Sequence, residues 1–297
     1  MFEQVYPLMP GLYGCLGECR LEAGRNQEAM QCFLMAESQG DRSENVAYRK
    51  GLCAVRLANY TVARDSFRQY LGNNSHGRHA KHAQECLAIV EHNFLNQSND
   101  NYLADASKNG IKRWNTNGKP ILVYIKADAS LKGFHPEYVQ LLQQSFMDWT
   151  NGTNGAVSFV QTQDPSQAQI TCYWTDKQSD FDSSKELGEC QNTLSNGYIN
   201  HSEIKLSTLV GHARDIPTEV FPEAKAVALH EIGHALGLAH SSTSFDIMYP
   251  TAAPKGLEFN LTRRDLNTVV ALYSINPEQI ATASESQIQA FAANGFK

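Results

Sequence analysis

The chain has 297 residues, 42% of them hydrophobic, enough to bury the cores of two domains of ordinary size. Its net charge of -6 offers no basic stripe for nucleic acid or anionic lipid. No run approaches the roughly 18 apolar residues of a membrane-spanning helix. The opening segment, MFEQVYPLMPGLYG, lacks a basic region followed by an apolar run. No secretory signal is read there, and the cytoplasm is the expected compartment, with export by another route left open.

The first elements repeat. LGECRLEAGRNQEAMQCFLMA (Leu16 to Ala36) lies over KGLCAVRLANYTVARDSFRQY (Lys50 to Tyr70) at an offset of 34 residues. Gly17 falls on Gly51, Cys19 on Cys53, Leu21 on Val55, Ala29 on Ala63 and Phe33 on Phe67. Gly24 and Ala58 mark a turn between two helices in each copy. The pattern resembles the tetratricopeptide repeat, a helical hairpin of that period with small residues at helix contacts and an aromatic in its second helix. Two copies are fewer than the three or so that bury a continuous face, so RHAKHAQECLAIVEHNFL (Arg78 to Leu95) is expected to cap them as a helix. Residues 1–95 are thus expected to form an all-α unit that offers a surface to a protein partner. His76, His79 and His82 lack a fourth ligand and are expected on a solvated helix face. Five of the seven cysteines lie in this region without CxxC spacing. They are expected as buried free thiols, with Cys19 and Cys53 as small packing residues, whereas pairing of Cys172 with Cys190 stays open.

Residues 96–110, rich in Asn, Ser and Asp, are expected to be a linker to a second domain at 111–275. PILVYIKA (Pro120 to Ala127) is β-branched and aromatic, and predicts a strand. PEYVQLLQQSFMDWTNG (Pro136 to Gly152) predicts a core-facing helix through Val139, Leu142, Phe146 and Trp149. AVSFVQT, AQITCYWTD and HSEIKLST (His201 to Thr208) predict three more strands, with Ile170, Cys172 and Trp174 sharing one face. Residues 276–297 are left as a tail without an assigned role.

The chemistry lies in HEIGHALGLAH, His230 to His240. A helix from about Pro222 places His230 and His234, four residues apart, on one face where both can reach one metal ion. Glu231 projects roughly 100° away, beside the metal but outside its ligand shell. Gly237 permits a left-handed exit, and the chain returns with His240 as a third nitrogen ligand. This predicts a three-histidine zinc site with an adjacent carboxylate base.

These residues, with Met248 in FDIMYP, KRWN before the first strand, and LTRRDLNTVVALYS with Thr262 as N-cap, resemble the metzincins and, more narrowly, the matrixin-like zinc endopeptidases. The likeness covers about Ile111 to Ser274. It implies an α+β catalytic domain, a twisted mixed sheet with a long active-site helix, following the all-α repeats. It implies His230, His234 and His240 as zinc ligands, Glu231 as general base, and Met248 as the methionine of the turn beneath the ligands. Tyr249 and Pro250 become candidate walls of the substrate pocket. Ala252 departs from the tyrosine usual in the animal enzymes. There is no PRCGxPD segment for cysteine-switch latency, and no loop for a second zinc or calcium, so one zinc is expected. The expected substrate is a peptide or protein, extended along a sheet edge at the strand near Ile204 and Leu206. A different class of function also stays open, a scaffold whose repeats recruit a partner while the zinc domain is regulatory or inactive. Whether the repeats recruit or cover the cleft is undecided at this level.

Overall fold

A computed structural model describes residues 11–41, 43–95, 100–183, 186–208, 222–250 and 260–275. The chain divides into two units, one of N-terminal helices and one that begins after them.

In the first unit two left-handed residues set the hairpins. Gly24 (φ 75°) ends α1 (Leu12–Glu22) and opens α2 (Asn26–Ser38), while Ala58 (φ 53°) does the same between α3 (Glu44–Arg56) and α4 (Tyr60–Asn73). The N–H groups of Ala23, Gly24 and Arg25 donate to the carbonyls of Cys19, Leu21 and Arg20. Those of Leu57, Ala58 and Asn59 donate to Cys53, Val55 and Ala54, the same pattern 34 residues on. The packing repeats as well. A Cβ built on Gly17 would stand 2.7 Å from the Phe33 ring, and one on Gly51 would stand 2.6 Å from the Phe67 ring. The expected helix over Arg78 to Leu95 is α5 (Ala80–Ile89), continued by a π-helical turn (Val90–Leu95).

Two expectations fail here. Cys53 is buried and its thiol reaches the Asn26 carbonyl at 3.1 Å, but Cys19 is exposed, as is Cys15. The face that α2 covers on α3 has no counterpart for α1, because no described helix precedes α1. Nor do His79 and His82 lie on a solvated face. Both are half-buried around Tyr48, with the His79 ring stacked on it at 4.2 Å and His82 Nδ1 2.7 Å from its hydroxyl.

Replacing glycine by alanine inside a helix ordinarily stabilises it by about 0.5–1 kcal/mol. At Gly51 the collision with Phe67 opposes that gain, and overpacking costs about 1–3 kcal/mol. Gly51→Ala is therefore expected to lower the denaturation midpoint. An unchanged or raised midpoint would show that the glycine–aromatic contact does not limit the packing.

The second unit starts with a short helix, α6 (Leu103–Ala106), where a linker is expected. Tyr102, Leu103 and Ala106 are instead buried in its core. The sheet follows as β1 (Ile121–Ile125), β2 (Phe159–Gln161), β3 (Ile170–Thr175), β4 (Gly188–Ser195) and β5 (Tyr198–Ser207), with α7 (Glu137–Gly152) crossing between β1 and β2. Its order is β2-β1-β3-β5-β4, parallel except that β4 runs antiparallel to β5. Ile170, Cys172 and Trp174 share the buried face of β3, and Leu142, Phe146 and Trp149 of α7 join them in one core. The mixed sheet and its helices make the α+β arrangement expected. Cys172 and Cys190 both pair in register with Ile204 of the strand between them. Two strand spacings, about 9.5 Å, separate them, beyond what a disulfide bridges. All seven cysteines are free.

The strand β4 escapes a reading by hydrophobicity because GECQNTLS is almost wholly polar. The pair that joins it to β5 is nonetheless a turn signal that the sequence expectations above do not include. Asn196 and Gly197, with φ of 52° and 79°, form the two-residue left-handed connection that β-hairpins favour. The expectation that peptide would add beside Ile204 and Leu206 is thereby corrected. Those residues belong to β5, which is bonded on both sides, and the edge beyond it among the described strands is β4, with β2 at the opposite edge. Among the described residues no helix is long and apolar enough to cross a membrane.

Candidate metal centre

The helix α8 (Pro222–Ala235) ends as its sequence predicts. Gly237 takes φ 99°, the Leu238 N–H reaches back to the Gly233 carbonyl at 3.0 Å, and the Gly237 N–H to that of His234 at 2.9 Å. Side chains supply further donors to the carbonyls at this helix end. Trp114 Nε1 donates to Ala235 at 2.7 Å, the Tyr273 hydroxyl to Leu236 at 3.1 Å, and Asn192 Nδ2 to His234 at 2.7 Å.

This geometry brings His230, His234 and His240 together. Their rings lie 4.7–5.3 Å apart between centroids, and their candidate ligand nitrogens all lie within 4.8 Å of one another. Among the described residues no other set of three His, Cys, Asp or Glu side chains converges in this way. His230 Nδ1 donates to the Ile247 carbonyl at 2.6 Å and His234 Nδ1 to the Leu238 carbonyl at 2.8 Å. Those bonds orient both rings and leave Nε2 as the free lone pair. Burial holds His230 down to about 4 and His234 to about 3, and lowers His240 as well, so the imidazoles are uncharged at neutral pH. Three neutral nitrogens at this separation suit a zinc ion with one position left open.

The first glycine of the motif has its own task. A Cβ on Gly233 would stand 2.2 Å from the sulfur of Met248, which is fully buried against α8 between the turns that carry His230 and His234. The methionine is in turn held by α9 (Arg263–Ser274), where Thr262 forms the N-cap with a full capping box to Asp265. Asp265 accepts from the Ile247 N–H at 2.9 Å and the Thr262 N–H at 2.8 Å, and Asp246 accepts from Ser241 Oγ at 2.5 Å and Arg264 Nε at 3.2 Å. Asp265 thus holds the N–H of Ile247, the residue whose carbonyl orients His230. Burial, with Asp246 alongside, raises the Asp265 carboxyl above the usual carboxylate range.

Glu231 is 5% exposed and faces β4. A Cβ on Gly188 would stand 2.7 Å from its Cγ and its Oε1, so this strand can run so close only with glycine there. Burial, together with Glu189 and Glu186, pushes the Glu231 carboxyl up to about 8. A divalent cation beside it would act in the opposite sense. Tyr249 is half-buried and Pro250 exposed, directly after Met248. Ala252 and the tail at 276–297 lie outside the described residues.

Sequence reasoning missed Gly188, Asn192, Asp246 and Asp265. Only Asp265 left a local trace, three residues after the Thr262 cap.

Residues 114–274 match the family model described as Matrixin. The chain is 30% identical over 176 residues to "Metalloendoproteinase 4-MMP" of Arabidopsis thaliana, covering 57% of this chain and 50% of that protein. It is 47% identical over 55 residues to "Metalloendoproteinase 1" of Glycine max, 18% of each chain. "Matrilysin" of Felis catus is 47% identical over 49 residues, 16% of this chain and 19% of that one. The chain thus spans half or less of the length of the relatives it matches.

Proposed function

The chain belongs to the matrixin family, and on that premise we propose that it is a zinc-dependent endopeptidase that hydrolyses peptide bonds in an extended substrate. The observation that carries this reading is the convergence of three uncharged imidazoles, two of them oriented by main-chain carbonyls, beside one buried carboxylate. His230, His234 and His240 would hold one zinc, which supplies Lewis-acid polarisation of a carbonyl and of a water. Glu231 accepts the proton of the attacking water on a carboxylate oxygen and returns it to the leaving amine nitrogen. The backbone of β4 offers its free N–H and C=O groups to an extended peptide by strand addition. Asn192 ties that edge to the His234 carbonyl and so fixes the spacing between bound peptide and ligand helix. Tyr249 and Pro250 follow the methionine turn, where they would wall the pocket beside the cleaved bond.

The helices of residues 1–95 serve, in this reading, as tetratricopeptide-like repeats that present a face to a protein partner. The hydrogen-bond pattern and the glycine–aromatic contact, both repeated at 34 residues, support it. Nothing in the site favours a purely scaffolding role, since a scaffold has no need of Glu231.

One experiment tests the activity and the metal together. Zinc-loaded protein incubated with a diverse peptide pool should produce internal cuts, read by mass spectrometry, and a chelator should abolish them. Elemental analysis should find close to one equivalent of zinc. Two equivalents would overturn the site as drawn, and an intact pool would overturn the peptidase.

A further inference from the structure

Residues 100–107 precede the matched span and stand where composition promises only a linker, yet Tyr102, Leu103, Ala106 and Ser107 are all buried. Four helical residues do not hold themselves together in water, so α6 owes its shape to what it docks against. One side is α9. The Tyr102 N–H donates to Thr268 Oγ1 at 3.0 Å, its hydroxyl to Asp265 Oδ1 at 2.6 Å, and Asn267 Nδ2 to the Asp100 carbonyl at 2.9 Å. The other side is the metal loop. The Ala239 N–H donates to the Ala106 carbonyl at 3.1 Å, and Ser242 Oγ to Asp105 Oδ2 at 2.9 Å, while Lys108 pairs with the other oxygen of Asp105 at 2.7 Å.

Ala239 and Ser242 bracket His240. That ligand differs from the other two because it is exposed and no helix carries it, so its neighbours must set its backbone. On its other side the loop is pinned through Ser241, whose N–H donates to the Met248 carbonyl at 2.8 Å and whose Oγ donates to Asp246 at 2.5 Å.

We propose that residues 102–106 are a positioning strap for His240, so that the metal affinity of the centre depends on a segment outside the matrixin span. The inference rests on the zinc site proposed above. Its physical basis is preorganisation. With the strap docked, the loop is already ordered when a metal arrives, and without it the ordering of His240 is charged against binding. Removing a group that orients a ligand commonly weakens metal binding by about 10- to 100-fold.

The test measures zinc affinity by competition with a chromophoric chelator, and the visible spectrum of the cobalt-loaded protein, on the full chain. Leu103→Ala should weaken zinc about 10-fold and alter the cobalt spectrum as the third imidazole leaves. Leu103→Met, which refills the space, should restore both. Asp105→Ala and Ser242→Ala, at the surface end of the strap, should each weaken zinc a few-fold, and they decide the matter if Leu103→Ala does not fold. Val123→Ala, a core truncation on β1, should destabilise the protein and leave zinc affinity as it was. Strap variants that bind zinc like the wild type would overturn the strap alone. A wild type that takes up neither zinc nor cobalt would overturn the metal site, and the strap with it.

Discussion

Glu231→Gln is expected to lower peptide hydrolysis at least about 100-fold while zinc remains bound. General acid–base catalysis commonly contributes about 100- to 10,000-fold, and the substitution removes the only group proposed for it. Size is preserved, so the close approach of Gly188 is undisturbed, and the three imidazoles keep their places. Binding of an extended peptide along β4 should survive, because it uses main-chain groups. The metal-free protein adds a second readout. Burial raises the Glu231 carboxyl to about 8. The folded state therefore holds a proton that the unfolded state, with an ordinary carboxyl near 4.3, has already released. Chelated wild type should lose stability as pH rises from about 4.5 to about 8, and chelated Glu231→Gln should lack that component. Equal hydrolysis by the two zinc-loaded proteins would refute the proposed base.

Much of the centre is legible in the sequence because its logic is local. Helical periodicity alone places His230, Glu231 and His234, and Gly237 announces the turn that returns His240. The 34-residue repeat is legible for the same reason, since Gly17 answers Phe33 and Gly51 answers Phe67 within one hairpin each. What stays hidden is set by distant chain segments. Asn192 meets the His234 carbonyl across 42 residues, and Tyr102 meets Asp265 across 163. No spacing rule connects such pairs. Gly188 lies in a strand whose polar sequence suggests no strand at all, and only the Asn196–Gly197 turn betrays it. Cys19 matches Cys53 in sequence yet differs in burial, because what covers a repeat is its neighbour and not its own composition.

Gly237→Ala is expected to damage fold and metal site together. At φ 99° any side chain is strained, at a cost of about 1–3 kcal/mol. Space is the larger difficulty. A Cβ there would stand 1.9 Å from the Lys112 carbonyl oxygen and 2.7 Å from its carbon, and both are backbone atoms that no rotamer change removes. Either the segment ahead of Trp114 moves, which withdraws the indole from the Ala235 carbonyl, or the turn moves and carries His240 away from its partners. Both outcomes loosen the ligand set. The loss of stability should exceed about 3 kcal/mol, in the range reserved for backbone incompatibility, and zinc affinity should fall at least about 10-fold. Gly118→Ala supplies the control. Its φ is 75° and nothing lies within 4 Å of a Cβ there, so it carries the strain without the collision. That variant should lose only about 1–3 kcal/mol and keep its zinc. A Gly237→Ala protein that melts with Gly118→Ala and binds zinc like the wild type would mean that the approach of Lys112 does not hold the turn in place.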